Sequence, residues 1–179
     1  MESTKTTWTI DPTHSEVQFK VKHLVISTVT GNFTEFQGGL ESSNEDFNGG
    51  EAHFEASINS ISTNQADRDN HLKSAEFFDA ENHPKLTFRQ GKFEKVSDNE
   101  YNLNGLLSIR GVEKPISLKA ELGGIMDDPY GNRKAGFEIS GKLSRKEFGL
   151  NWNAVTEAGG IVVGDEVKLL LNAQFVKQA

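Results

Sequence analysis

The sequence predicts an all-β protein, an eight-stranded antiparallel β-barrel with one helical insertion. Three observations lead there. Apolar and polar residues alternate with a period of two through most of the chain. Clusters of Gly, Asn and Asp interrupt that alternation at intervals. Each strand so defined has one apolar and one polar face, and a single helical segment is available to cover the apolar faces. Such a sheet buries its apolar side by closing on itself, and eight strands enclose an interior that side chains fill or that holds one small ligand.

The strands follow in order. The first sets Val17, Phe19, Val21 and His23 against Gln18, Lys20 and Lys22. Phe36, Gly38 and Leu40 form the second, and Ala52, Phe54, Ala56 and Ile58 the third. The fourth begins at Leu86 and Phe88, with a bulge expected near Gly91 before Phe93. Tyr101–Ile109, Ile116–Leu122, Ala135–Leu143 and Val167–Phe175 complete the set. Turns are expected at Asn48-Gly49-Gly50, Ser97-Asp98-Asn99, Arg110-Gly111 and Asp127–Gly131. The helix is expected over Gln65–Phe78, capped by Asn64 or Asp67 and ended by His83-Pro84. One long connection, Leu150–Gly164, is rich in apolar residues and reads as a flap over the barrel mouth or a subunit contact.

Composition narrows the function. The 179 residues are expected to form one domain. They contain no cysteine, so disulfide and thiol chemistry are excluded. The net charge of −7, with scattered basic residues, argues against a nucleic-acid partner. The stretch MESTKTTWTID lacks the apolar core of a signal peptide, and no apolar run approaches the roughly 20 residues of a transmembrane helix, so a cytoplasmic location is expected.

Motifs for catalysis are sparse. The five histidines form neither an i, i+4 pair nor an HxH strand pair, so no metal site is expected. No GxSxG, P-loop or GxGxxG occurs, and the carboxylates mostly alternate on polar strand faces. Arg68, His71 and Lys73 gather near the helix start, as a cationic anchor for an anionic head group or as an ordinary solvated face. The inward positions mix large residues (Phe19, Phe54, Phe88, Phe137) with small ones (Ala52, Gly105, Gly141), a pattern shared by hollow and filled barrels.

Several segments together resemble the YceI-like polyisoprenoid-binding family. They are Trp8-Thr9-Ile10-Asp11-Pro12-Thr13-His14-Ser15, the series Gly31, Phe33, Phe36 and Gly38, and Arg68-Asp69-Asn70-His71-Leu72-Lys73-Ser74 with Phe77-Phe78-Asp79 and His83-Pro84. Leu107–Pro115, Ser144–Gly149 and Val163–Val167 continue the likeness nearly to the end of the chain. Ser108 and Glu113 stand where the family usually has threonines. The resemblance implies a lipocalin-like barrel that holds a prenyl chain, with the polar head near the mouth and no catalytic residues or cofactor.

The resulting expectation is a non-enzymatic carrier for a polyisoprenoid or another long-chain amphiphile, with a homodimer as one possible assembly. The apolar tunnel is assigned to Phe19, Val21, Phe54, Ile58, Leu72, Phe77, Phe88, Leu107, Phe137 and Trp152, and the head group to Arg68, His71 and Lys73. Two alternatives compete: a filled barrel acting as a stress-related interaction module, and a hydrolase or isomerase acting on a bound lipid.

Overall fold

The computed structural model describes residues 5–151, apart from 24–26 and 44–45, and residues 163–178; the side chain of His23 lies outside that description. The strands are β1 (Lys5–Ile10), β2 (Glu16–His23), β3 (Ser27–Phe33), β4 (Phe36–Ser43), β5 (Asp46–Ser57), β6 (Ile61–Ser62), β7 (Lys85–Lys95), β8 (Glu100–Ile109), β9 (Val112–Asp127), β10 (Arg133–Ser144) and β11 (Val163–Lys177). One α-helix, α1 (Ala66–Lys73), separates β6 from β7.

The sheet is antiparallel and closed. Its ring runs β1-β4-β5-β7-β8-β9-β10-β11, and β1 returns to β11 through Trp8 opposite Lys177 and Ile10 opposite Phe175. Further along the same edge, β11 pairs with β2, which carries β3 and then β6. Three of the eight strand positions are therefore bent strands. β1 and β2 are interrupted at Pro12–His14, β3 and β4 at Thr34 and Glu35, and β5 and β6 at Ile58–Ser60. Pro12 has no N–H for a ladder, and Asp11 accepts from the Thr13 backbone to form a local turn. The other two bends are stitched together: Ser57 N donates to Glu35 O at 2.9 Å and Thr34 N to Ser60 O at 3.3 Å.

This divides the barrel into two levels. The lower level is hydrogen-bonded all the way round. In the upper level, β11, β2, β3 and β6 make a partial wall that does not pair with β7. Pro84 precedes β7 and supplies only its carbonyl, which accepts from Ile58 N at 2.9 Å. The segment from α1 to Pro84 fills this arc: Phe78 meets Phe33 ring to ring at 6.4 Å, and Arg110 Nη1 donates to Phe77 O at 3.1 Å.

Eight strand positions and the bulge before Phe93 are as the alternation predicts; β7 breaks register between Arg89 and Lys92, with Gln90 at φ 53°. Arg110 and Gly111 form the two-residue turn, both at positive φ. Other expectations are corrected. Asn48-Gly49-Gly50 is a bulge inside β5, because Glu41 and Ser43 oppose Glu51 and Asp46, and it turns Phe47 fully into the core. Ile58 begins a 3₁₀ turn and is not a strand residue. The helix stops at Lys73 and not at Phe78, because Ser74 leaves helical geometry (ψ 169°) and its hydroxyl bonds the His71 carbonyl. Neither Asn64 nor Asp67 caps it; the N-cap position is Gln65, without a side-chain bond.

The lower level is solid. Phe47 lies 5.4 Å from Trp8 and 5.1 Å from Phe137, centroid to centroid, and Phe93, Tyr101 and Phe175 surround them within 5.6–6.3 Å of Phe137. These edge-on and tilted pairs suit aromatic quadrupoles. Trp8 is fully buried, and its indole N–H donates to Ser42 Oγ. Filled and hollow readings of the barrel thus each describe one level.

Candidate apolar cavity and its charged rim

Above the aromatic floor lies a cavity of about 540 Å³, within the range of small-molecule sites. Phe19 and Val21 of β2, Val29 and Phe33 of β3, Leu72 of α1, Phe77, Phe78, Leu86, Ile109, Leu143, Val167 and Leu169 form its apolar wall. A second chamber of about 110 Å³ lies deeper, against Phe88, Phe93, Leu103, Leu107 and Phe175. Phe19, Phe33, Leu86, Ile109, Leu143 and Leu169 border both, so the two chambers adjoin at this ring of side chains, the throat.

The outer chamber has a polar rim. Its lining includes the exposed residues Lys22, Gln65 and Asp67, so its mouth is at the α1 end. Arg68 and His71 also line it. Arg68 is held in place: its Nε donates to Thr63 Oγ1 and its Nη2 to Thr63 O, both at 2.7 Å, while the Thr63 hydroxyl and N–H donate to Asp69 Oδ1. His71 pairs with Glu76 and stacks edge-on against Phe77. The arrangement leaves charge at the rim and hydrocarbon below it.

Arg145 is the buried charge of the cavity wall. It donates to Gly164 O at 2.8 Å, Leu150 O at 2.5 Å and Val163 O at 3.1 Å. Burial pushes its guanidinium below the usual arginine range, and the Asp165 carboxylate opposes that shift. Three carbonyl acceptors give this cation the partners that a buried charge needs. Asp165 is in turn held below the usual carboxylate range, first by the Ser144 hydroxyl at 2.5 Å.

Of the residues singled out from the sequence, Phe19, Val21, Leu72, Phe77, Arg68 and His71 line the outer chamber, and Phe19, Phe54, Phe88 and Leu107 the inner one. Phe137 belongs to the aromatic floor, and Ile58 is buried in a separate cluster with Ile61 and Ala80. Lys73 lies in the last turn of α1 and lines neither chamber. Trp152 lies outside the described residues, as does the connection from 152 to 162. Leu86, Ile109, Leu143 and Leu169 were legible as inward strand positions and Phe33 as part of the family likeness. Lys22 gave no signal, because a strand lysine reads as solvated, and Arg145 stood only within the Ser144–Gly149 likeness, with no site role, because a buried arginine is rare. Among the described residues, no three His, Asp or Glu side chains form a cluster able to hold a metal ion. No described helix is long and apolar enough to cross a membrane.

Comparison with known proteins agrees with this architecture. The profile of the YceI-like domain matches residues 8–175. A UPF0312 protein of Staphylococcus epidermidis is 35% identical over 171 residues, covering 95% of this chain and 97% of its own. Protein YceI of Salmonella newport is 36% identical over 165 residues, covering 92% and 83%. Among solved structures, the Campylobacter jejuni YceI protein superposes with a TM-score of 0.75 at 31% identity, covering 88% of this chain and 90% of its own. A polyisoprenoid binding domain from Saccharophagus degradans has the same fold, with a TM-score of 0.67 at 15% identity and 96% and 98% coverage. By sequence and by fold, the chain belongs to the YceI-like family.

Proposed function

We propose that the protein binds a long-chain amphiphile, a polyisoprenoid before other lipids, with the hydrocarbon in the two chambers and the head group at the α1 rim. The observation that carries this reading is the apolar cavity of about 540 Å³ under a rim bearing Lys22, Arg68 and His71. The likeness to a polyisoprenoid binding domain supports the choice of lipid. At about 30 Å³ per water-sized group, the outer chamber takes on the order of 18 heavy atoms, between three and four isoprene units. Each buried CH₂ equivalent contributes about 0.8 kcal/mol, so about fifteen carbons contribute roughly 12 kcal/mol before the costs of association and ordering. An apolar wall of this kind discriminates weakly among chains of equal length and takes no part in bond making. Binding and carriage, without catalysis, is the role we assign, and a cytoplasmic site of action and a homodimer belong to the same proposal.

Native mass spectrometry of the purified protein tests it. The expected result is a lipid adduct, or uptake of added farnesol with displacement by geranylgeraniol. A bare mass that takes up neither prenol would overturn the reading. That outcome would favour the interaction-module alternative, for which the exposed Met126 and Tyr130 on the β9–β10 hairpin are the supporting observation.

A further inference from the structure

Large residues on the inner wall lie flat across glycines of the neighbouring strand. Leu118 covers Gly141, Phe88 covers Gly105, and Phe19 covers Gly31. The third pair differs from the others in its place, because Phe19 borders both chambers. Phe19 and Gly31 are directly opposed on β2 and β3. A Cβ at position 31 would fall 2.1 Å from the Phe19 Cζ and 2.5 Å from its Cε1, far inside contact distance. Every close neighbour there is the far end of one ring. Gly31 is not among the glycines at positive φ, so its backbone accepts alanine without strain.

From this geometry we infer that Gly31 sets the length of hydrocarbon the barrel accepts, without itself touching the chain. The inference rests on the proposed function above. A methyl group at position 31 leaves the β3 backbone where it is and displaces the Phe19 ring. The ring cannot move further into the wall, so it turns inward, toward Leu86, Ile109 and Leu143 across the throat. That closes the inner chamber of about 110 Å³ and leaves most of the outer one. At about 30 Å³ per heavy atom, the lost space is on the order of four atoms, close to one isoprene unit. The substrate class that feels the change is a prenyl or alkyl chain long enough to pass the throat. Gly31 is thus a specificity-determining position acting through Phe19.

A two-residue cycle with two probes tests the inference. Wild type, Gly31→Ala, Phe19→Ala and the double variant are titrated with farnesol and with geranylgeraniol, which is one isoprene unit longer. Wild type is expected to favour geranylgeraniol by about tenfold or more. In Gly31→Ala that preference is expected to fall to about onefold, with farnesol affinity changed by less than about threefold. Removing the ring in the double variant is expected to restore the preference, a rescue that general destabilisation does not produce. Phe19→Ala alone, which has no ring to displace, keeps the preference and serves as the folded reference if Gly31→Ala does not fold. An unchanged preference in Gly31→Ala, equal losses for both prenols, or no rescue in the double variant overturns the inference. If wild type binds neither prenol, the proposed function fails first and the inference with it.

Discussion

Asp11 shows how one side chain fixes a bend in the wall. It ends β1, accepts from Thr13 N, and its other carboxylate oxygen meets His14 Nδ1 at 2.8 Å and Lys134 Nζ at 3.3 Å. The His14 contact leads the causes that lower its pKa from 3.8 to about 2, and partial burial opposes them. A carboxylate depressed in the folded state contributes stability above its unfolded pKa and loses that contribution as pH falls through the folded value. Urea unfolding of wild type and Asp11→Asn should therefore differ above pH 4, by about 1–2 kcal/mol after allowance for solvent screening, and should converge near pH 2. A gap that persists at pH 2 would assign the effect to shape rather than charge. The same anchoring logic applies to Arg145, whose three carbonyl partners join the end of β10 to Leu150 and to the start of β11.

Among the elements, α1 is the one whose function depends on its short length. Eight residues end at Lys73, and its basic residues separate: Arg68 and His71 turn to the cavity while Lys73 does not. Arg68→Ala is therefore expected to weaken farnesyl diphosphate about tenfold relative to farnesol, while Lys73→Ala changes the ratio by less than about twofold. Isothermal titration of both variants with both ligands measures this, and equal effects of the two substitutions would place the head group elsewhere. The sequence made the regular strands legible because their inward positions, such as Phe88 and Leu107, alternate cleanly. The alternation hid β1, β3 and β6, for physical reasons, although the family likeness read Trp8–Ser15 as part of an opening strand. Lys5–Ile10 and Ser27–Phe33 are rich in threonine and serine, whose polarity masks a period of two, and β6 has only two residues. The helix was overextended because Ala75, Phe77 and Phe78 continue an apolar rhythm past Ser74, where local hydrogen bonding takes the backbone elsewhere. The charged rim was half legible: Arg68 and His71 sit together in sequence with Asp67, whereas Lys22 reaches the same mouth from β2 by closure of the barrel.

For the whole molecule, stability and binding separate by level. Phe47→Ala removes a fully buried ring from the aromatic floor and is expected to cost about 3–5 kcal/mol, with prenol affinity of the folded protein nearly unchanged. Leu72→Ala, in the upper wall, is expected to cost far less stability and to lower prenol affinity at least about threefold. Chemical denaturation and prenol titration of the two variants check the division, and a floor variant that loses binding as strongly as the wall variant would refute it. The ring that makes the lower level solid is closed by the pairing of β1 with the end of β11, with Trp8 opposite Lys177. These partners are among the most distant in the sequence, so closing them carries the largest loop entropy of any contact in the ladder. During synthesis the first strand emerges early and waits, its edge unpaired, until the final strand leaves the ribosome. Until that pairing forms, the free edges of β1 and β11 leave backbone N–H and C=O groups without ladder partners, the kind of edge on which sheets aggregate.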